Sequence, residues 1–514
     1  MASNSRTIAK NTIFLYFRMF VTMVISLFTS RVVLQTLGVS DYGIYQAVGG
    51  IVGLLSFINN ALATGSSRFL TYGMGEGDDD KLKRIFSTTL TAHLILALFI
   101  VLLAETVGLW FLYHKMEIPA DRMEAAVYAY HLSVVSAFFA LTQVPYSASI
   151  IAHERMTVYA YVSIVEAVLK LLIVYLLVIG EFDKLKLYAT LLFVIQLGIV
   201  LFYRFYCTRK FQEVSLQLSI DKPIFKEIAS FSGWSMFANA AIALSNQGVL
   251  IMLNMFFAPA VVAARSISLQ VNGIANQFVS NFQTAANPQI VKLYAEGDRD
   301  GSRRLLIQTT KLSYYMMFIL ALPIFLTANM LLRLWLGIVP DYTTVFLQLV
   351  VIESLFQVFD TSFYRALYAK GRIKENALIS PTVGFIRFPI IYILFSIGCS
   401  PIALSWASLV SYALLGLVIK PILVVKIVNY KWSDIFSVFK PCLLVTLASL
   451  PIPILMAYLM DAYCHSEIIS FFVIVIISVI SVAVSTWYFG LTETMKRMVW
   501  DFITSKLDIK NKKI

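Results

Sequence analysis

Residues 468–485 read IISFFVIVIISVISVAVS and contain no charged side chain. A predominantly apolar run of 18 or more residues is long enough, at 1.5 Å per residue, to cross the roughly 30 Å hydrocarbon core of a bilayer as one helix. Similar runs recur along the whole chain, and of its 514 residues 59% are hydrophobic and 14% charged. A soluble domain carries about 25% charged residues. The sequence therefore predicts an all-α polytopic membrane protein.

Hydropathy and charge together predict about 14 transmembrane helices with both termini in the cytoplasm. If the N-terminus is cytoplasmic, the cytoplasmic segments together with the adjoining span ends hold 31 Lys and Arg residues, and the outer segments with their span ends hold five. A missing or an extra span would destroy this bias, so the bias supports both the count and the orientation. The predicted spans are 12–34, 43–65, 87–112, 126–150, 158–180, 185–206, 229–253, 258–286, 312–336, 343–368, 376–398, 401–425, 436–460 and 467–489.

The formal net charge of +12 does not indicate nucleic acid as a partner. The Lys and Arg residues lie between apolar runs, where membrane topology explains them, and not along one soluble face. The four cysteines are far apart and show no spacing of a metal site or of a disulfide framework. We therefore expect no metal and no cofactor.

Two motifs recur about 220 residues apart and indicate an internal repeat. FLTYGMGEGD at 69–78 resembles VKLYAEGD at 291–298, and IAHER at 151–155 resembles YAKGR at 368–372. Each repeat holds six spans, an even number, so two pseudo-symmetric six-helix bundles with the same orientation are predicted, followed by two C-terminal helices. The predicted divisions are 1–206 (N-lobe, spans 1–6), 207–228 (cytoplasmic interfacial linker), 229–426 (C-lobe, spans 7–12), 427–490 (spans 13–14) and 491–514 (basic amphipathic cytoplasmic tail).

Cations inside predicted spans are the first candidates for a functional site. An ionisable side chain within a span costs about 2.5–3.5 kcal/mol on insertion scales, so we expect it to face a protein interior or a water-filled cavity. Two have alternative interpretations: Arg31 can snorkel to the outer interface, and Lys170 can pair with Glu166 four residues earlier. The repeat offset of 217 residues places Lys170 opposite Arg387. The candidate cavity cations are Arg18, Arg31, Lys170, Arg265 and Arg387.

Polar side chains also form stripes along predicted helices. In span eight they recur every three or four residues from Arg265 to Gln283, and in span one Thr22, Ser26 and Thr29 continue the face of Arg18. Such stripes line a wet cavity in one interpretation and make interhelical hydrogen bonds, worth roughly 0.6 kcal/mol each, in the other. The candidate polar residues are Asn60, Ser268, Asn272, Asn276 and Gln283. The candidate counter-ions or carriers of a coupling ion (H⁺ or Na⁺) are Glu166, Glu353 and Asp360, and local spacing allows Asp360 to pair with Arg365.

These features together resemble the polysaccharide-transport branch of the multidrug/oligosaccharidyl-lipid/polysaccharide exporter (MOP) superfamily. Its members are bacterial flippases for lipid-linked O-antigen or capsule repeat units. The resemblance covers essentially the whole chain. It rests on Arg31, on LGVSDYGIY at 37–45, on the Gly-rich acidic loop before Lys83 and Arg84, and on the doubled six-span plan.

The resemblance implies a V-shaped pair of six-helix bundles around a central cavity, in the bacterial inner membrane. By alternating access, such a protein moves an undecaprenyl-diphosphate-linked oligosaccharide from the cytoplasmic to the outer leaflet. Related flippases of lipid-linked peptidoglycan precursors have arginines in spans one and eight, which favours Arg18 and Arg265 as ligands of the diphosphate. The implied partners are membrane lipids, glycosyltransferases and a polysaccharide polymerase.

Three other functions compete with this one. A cation-coupled multidrug antiporter of the same superfamily favours an acid-dominated cavity, whereas cations are in excess among the candidates here. A membrane polysaccharide polymerase or ligase needs a reactive constellation, commonly on a long outer loop; the predicted outer loops have roughly 20 residues or fewer and carry no hydrolase or P-loop motif. A structural scaffold does not explain buried cations on pseudo-symmetric helices.

Overall fold

The computed structural model describes residues 2–54, 66, 69–70, 73–74, 77–153, 155–177, 182–214, 217–228, 240, 243–493 and 495–496. Within its helices, the side chains of 2–19, 156, 159–160, 245–246, 284–285, 288, 292, 295 and 373–377 lie outside the description. The described residues are mostly helical and include no strand, which confirms the predicted all-α class.

Among the described residues, ten helices are long and apolar enough to cross a membrane. Every predicted span overlaps a helix, and parts of the second and seventh spans lie outside the described residues. In chain order the helices are α1 (Ala2–Leu54), α2 (Asp79–Lys115), α3 (Met123–Ala152), α4 (Met156–Leu176), α5 (Lys184–Lys210), α6 (Val249–Phe256), α7 (Pro259–Ala295), α8 (Arg299–Leu326), α9 (Ala328–Leu336), α10 (Thr343–Ala369), α11 (Ile373–Ser396), α12 (Ala403–Val428), α13 (Trp432–Ser449), α14 (Pro451–Tyr463) and α15 (Glu467–Gly490).

The first two predicted spans are joined by a single-residue break. Helix α1 is interrupted at Gly38, whose φ of 82° and ψ of 167° lie in a region that side chains with a Cβ rarely adopt. The chain therefore turns within the LGVSDYGIY motif without a loop.

The chain forms two compact units, each with its own core. Unit 1 comprises Met1–Ser266, Leu336–Tyr342 and Gly384–Pro401, and unit 2 comprises Ile267–Trp335, Thr343–Val383 and Ile402–Ile514. In unit 1, Phe86 of α2, Tyr146 of α3 and Tyr203 of α5 belong to one buried cluster. The corresponding cluster of unit 2 joins α8, α10, α13 and α15. The lobe boundaries at 206 and 229 stay predictions.

The first repeated motif adopts the same local structure at both places. Gly77 and Gly297 both have a positive φ, of 72° and 87°. The aspartates that follow, Asp78 and Asp298, are the N-caps of α2 and α8. Each accepts a hydrogen bond from the backbone N–H three residues later, at 2.9 Å and 2.8 Å. The Gly-Asp pair thus starts a helix twice, because glycine tolerates the turn and aspartate caps it.

The second repeated motif ends a helix in the same way at both places. The Arg155 N–H donates to the Ile150 carbonyl at 3.0 Å where α3 ends. The Arg372 N–H donates to the Leu367 carbonyl at 2.9 Å where α10 ends. Both bonds span five residues and satisfy carbonyls that the helix end leaves open. The repeat therefore extends from sequence to backbone hydrogen bonding.

One arginine joins three connections of unit 1. The Arg122 guanidinium, just before α3, donates to Asp41 at 2.8 and 2.6 Å and to Asp183 at 2.6 and 3.3 Å. Asp41 follows the break in α1, and Asp183 is the N-cap of α5. Planar, bidentate pairing of this kind is specific to arginine. The aspartate of the LGVSDYGIY motif therefore ties the turn of α1 to the starts of α3 and α5.

We expect Arg122→Ala to lower the free energy of unfolding by about 2 kcal/mol at neutral pH, since it removes charge-assisted hydrogen bonds to two carboxylates. Burial raises the pKa of Asp183, but hydrogen bonds from Arg122 and from the Lys186 backbone outweigh burial and lower that pKa below its usual value. A lowered pKa stabilises the folded state above the usual aspartate pKa of about 3.9, and this stabilisation is lost as the pH falls through the lower folded value. The difference between variant and wild type is therefore expected to shrink below about pH 4, measured by thermal unfolding in detergent.

The matched control is Lys186→Ala, which breaks a neighbouring ion pair with the exposed Glu124 (2.5 Å). It should change stability by less than about 1 kcal/mol at every pH. A difference between Arg122→Ala and wild type that stays constant through the acidic range contradicts the assigned role of Asp183.

Candidate functional site

Helices α1, α3, α4 and α5 of unit 1, with Ile100 of α2, surround two adjoining cavities. The first has a volume of about 680 Å³ and the second about 470 Å³. Ala140, Lys170, Tyr188 and Gln196 line both, so the cavities meet at these residues. The site lies within one unit and among membrane-spanning helices.

The wall of the first cavity is rich in hydroxyl and amide groups. Helix α1 contributes Thr22, Ser26 and Thr29, so the polar face predicted for span one lines this cavity. Helix α3 contributes Gln143 and Ser147. Amides and hydroxyls both donate and accept hydrogen bonds, so this wall can bind a ligand with many hydroxyl groups.

The charged residues of this wall form one pair. Lys170 Nζ lies 2.7 Å from Glu166 Oε1, one helical turn earlier on α4. The Lys170 side chain is 44% exposed and that of Glu166 is 29% exposed, and both line the first cavity. Lys170 therefore both pairs with Glu166, as the local spacing indicated, and lines a cavity.

The second cavity has more apolar walls. Leu132, Leu141 and Leu192 contribute to it, and Gly49 and Gly53 leave room along α1. At its junction with the first cavity, the ring of Tyr188 meets that of Tyr45 edge to face, with centroids 5.0 Å apart. Tyr45 closes the LGVSDYGIY motif, so this motif reaches the cavity.

The other predicted cavity cations lie elsewhere or outside the description. Arg265 on α7 and Arg387 on α11 are buried, at 3% and 4% exposure, and Arg31 on α1 is partly buried. None of these three lines either cavity. Arg18 is one turn before Thr22 on α1, but its side chain is outside the described residues. A ligand-binding role for these four arginines stays a prediction.

The polar stripe of span eight makes interhelical hydrogen bonds in unit 2. Asn60, the remaining polar candidate, is outside the described residues. Four members of the stripe on α7 bond with residues of α10, as one of the two interpretations of the sequence expected. The bonds are Ser268 Oγ to the Thr343 carbonyl (3.1 Å), Ser354 Oγ to Asn272 Oδ1 (2.5 Å), Asn276 Nδ2 to Ser354 Oγ (3.3 Å) and Gln283 Nε2 to Ser362 Oγ (3.0 Å).

A buried lysine near the end of the predicted span 401–425, which was not among the candidate cations, pairs with one of the candidate acids. Lys420 of α12 is 1% exposed, and its Nζ lies 3.0 Å from Asp360 Oδ1 on α10. Arg365, the partner suggested by local spacing, donates instead to Gln283 Oε1 at 3.3 Å. Glu353, the third acid, is buried on α10 at 8% exposure. Asp360 is therefore held by a lysine 60 residues away in sequence.

The same kind of contact occurs in both units at repeat-related positions. Arg204 of α5 lies over the ring of Tyr146 on α3, at 5.8 Å, and Lys420 lies over Tyr364 on α10, at 5.5 Å. The two cations are 216 residues apart and the two tyrosines 218, in agreement with the offset of the internal repeat. The repeat thus preserves a cation–aromatic contact as well as helix ends.

No protein-family model and no curated protein sequence matches this chain. Solved structures do match. Lipid II flippase MurJ, in an inward closed conformation, has a TM-score of 0.70 at 12% identity, covering 92% of this chain and 98% of that one. An inward-facing multidrug resistance MATE family transporter of the MOP superfamily has a TM-score of 0.66 at 13% identity, covering 79% and 96%. A MOP superfamily transporter from Pyrococcus furiosus has 0.52 at 13%, covering 77% and 93%. The chain has the fold of MOP-superfamily transporters, which confirms the predicted resemblance at the level of fold.

Proposed function

We propose that this chain is a flippase that moves an undecaprenyl-diphosphate-linked oligosaccharide repeat unit across the bacterial inner membrane by alternating access. The first cavity is the observation that carries the proposal, because it places one lysine among hydroxyl and amide groups between membrane-spanning helices. The repeat unit serves O-antigen, capsule or exopolysaccharide assembly. Cytoplasmic glycosyltransferases build the repeat unit, and a polysaccharide polymerase joins successive units on the outer side. Both termini of the chain are cytoplasmic in this proposal.

The chemistry of the two cavities suits the two ends of such a ligand. A diphosphate is an anion, and a lysine ammonium binds it as a point charge through charge-assisted hydrogen bonds. Sugar hydroxyls need donors and acceptors, which Gln143, Ser147 and Gln196 supply. The second cavity, with its leucine wall, suits an apolar group next to the diphosphate. Arg18, Arg265 and Arg387 remain proposed as further cations on the transport path.

The volume of the first cavity limits the size of the ligand that it can hold. Ligand pockets usually measure about 300–1,000 Å³, and the first cavity falls within this range at about 680 Å³. A cavity of this size suits the headgroup of a single repeat unit better than a finished polymer. The proposal therefore places the chain before polymerisation.

We expect Lys170→Ala to reduce cell-surface polysaccharide at least about tenfold, because a hydrogen bond to a charged group contributes about 1.5–3 kcal/mol. The measurement is quantitative glycan detection on intact cells that carry the variant as the sole copy, normalised to the amount of membrane-inserted protein. Lys170→Arg keeps the charge and should retain more function than Lys170→Ala.

The matched control is Lys186→Ala. Lys186 also pairs with a glutamate, Glu124, but belongs to neither cavity lining. Surface polysaccharide should stay near the wild-type level in this variant. If Lys170→Ala cells also carry normal polysaccharide at normal protein levels, the proposed site is wrong.

Cation-coupled multidrug antiport is a second candidate, and Glu166 favours it. A carboxylate in the cavity can bind a cationic drug or a coupling ion. In that case the chain should confer resistance to cationic dyes on a susceptible host, Glu166→Gln should abolish the resistance, and polysaccharide should not depend on Lys170.

A further inference from the structure

Lys170, the cation of the proposed site, is already paired with a carboxylate of the protein, that of Glu166. Lys170 Nζ and Glu166 Oε1 are 2.7 Å apart, within the range of a charge-assisted hydrogen bond. Both side chains line the first cavity and are partly exposed, so a ligand in the cavity can reach the pair. Binding of an anionic ligand to Lys170 therefore competes with an existing contact.

We propose that Glu166 is a displaceable internal anion whose protonation accompanies cargo binding. An anionic oxygen of the cargo takes the place of the Glu166 carboxylate at the Lys170 ammonium. The released carboxylate then takes up one proton from water and becomes a neutral carboxylic acid. No covalent bond to the cargo forms or breaks. This inference rests on the proposed function and deepens it, because it names the group that links the cargo to a proton.

Like-charge repulsion supplies the reason for proton uptake. Glu166 is four residues before Lys170 on α4, so a diphosphate bound to Lys170 lies within about one helical turn of the carboxylate. Two anions close together in a partly desolvated site disfavour each other's charged form. Protonation of Glu166 removes this repulsion while the side chain stays in the cavity. A carboxylate that moved into bulk water would be screened from the diphosphate and would keep its charge.

Among the groups that line the two cavities, Glu166 is the one suited to take up the proton. Helix α1 faces the two cavities with Tyr45, and α5 with Tyr188 and Tyr203; tyrosine hydroxyls keep their proton near neutral pH. Helix α3 contributes amide, hydroxyl and apolar side chains to the two linings. Among the lining residues that the structure describes, Glu166 is the one carboxylate and Lys170 the one lysine.

Calorimetry on the purified full chain in detergent tests the proposal, with farnesyl diphosphate as the probe. Titrations in two buffers of different ionisation enthalpy count the protons taken up on binding. The wild type is expected to take up about one proton more than Glu166→Gln near pH 7.5, and its affinity is expected to rise by up to about tenfold more per unit fall in pH. The probe's own ionisation contributes equally to both proteins and cancels in the difference.

Glu166→Asp keeps a carboxylate and should keep the proton uptake, which separates loss of the group from loss of the fold. Glu124→Gln removes a glutamate paired with Lys186 outside the cavities and should behave as the wild type. Equal proton counts for wild type and Glu166→Gln, together with binding that Lys170→Ala abolishes, overturn the inference and leave the proposed function standing. Binding that is unchanged in Lys170→Ala overturns the proposed site itself.

Discussion

Replacing Lys420 with methionine is expected to lower the free energy of unfolding by about 3–5 kcal/mol. Lys420 is 1% exposed, and its partner Asp360 is mostly buried, at 16% side-chain exposure. Removing one partner of a buried ion pair leaves the other charge without compensation in a poorly solvated place. Thermal or denaturant unfolding of the purified protein in detergent measures the loss.

The double variant Lys420→Met with Asp360→Asn should recover most of this stability, because it removes both charges and leaves a neutral amide. Arg333→Ala is the matched control: Arg333 pairs with Glu467 at 2.9 Å, but both side chains are about half exposed. An exposed pair is worth less than about 1 kcal/mol. Equal losses in Lys420→Met and Arg333→Ala would contradict the burial of Lys420.

Sequence predicted the helical architecture well because the bilayer imposes simple rules. An apolar run of sufficient length has to satisfy its backbone hydrogen bonds as a helix, so run length alone locates spans such as 467–489. The internal repeat could also be recognised from the sequence, because Gly77-Asp78 and Gly297-Asp298 are residue pairs that start helices. Both motifs have the same backbone structure in their two copies.

Ion pairs between helices were predicted less well. Lys420 lies near the cytoplasmic end of the predicted span 401–425, where a lysine can snorkel, so it was not a candidate cation, although it is 1% exposed and α12 continues to Val428. Its partner Asp360 is distant in sequence, and local spacing suggested Arg365 instead. Spacing identifies partners within one helix, whereas partners on two helices depend on how the helices pack.

The candidate site was predictable in part for the same reason. Lys170 and Glu166 are one turn apart, and Thr22 and Ser26 share a helix face, so sequence spacing identified them. Gln143 and Gln196 were missed because each is a single amide with no periodic pattern. The cost of burying a polar group in a span was the signal that could have identified them. The polar stripe of span eight had a clear helical period, but four of its members make hydrogen bonds with α10. A helical period shows which residues share a face and does not show whether that face meets a cavity or another helix.

Replacing Gly43 with alanine is expected to lower the free energy of unfolding by about 3 kcal/mol, at the upper end of the usual cost of overpacking. A Cβ at Gly43 would lie 1.9 Å from the Pro259 carbonyl oxygen and 2.5 Å from its carbonyl carbon. Both atoms are backbone atoms at the start of α7, so no side-chain rotation relieves the clash. The expected result is a lower unfolding temperature in detergent.

Gly49→Ala makes the same chemical change six residues later in the same helix, where a Cβ meets nothing within 4 Å. There alanine should be neutral or stabilising by up to about 1 kcal/mol, since it loses less backbone entropy on folding than glycine. The two variants share helix propensity and unfolded-state effects, so their difference isolates the close approach of α1 to Pro259. If both variants are equally stable, that approach does not exist in the protein, and Gly43 must be explained by something other than packing.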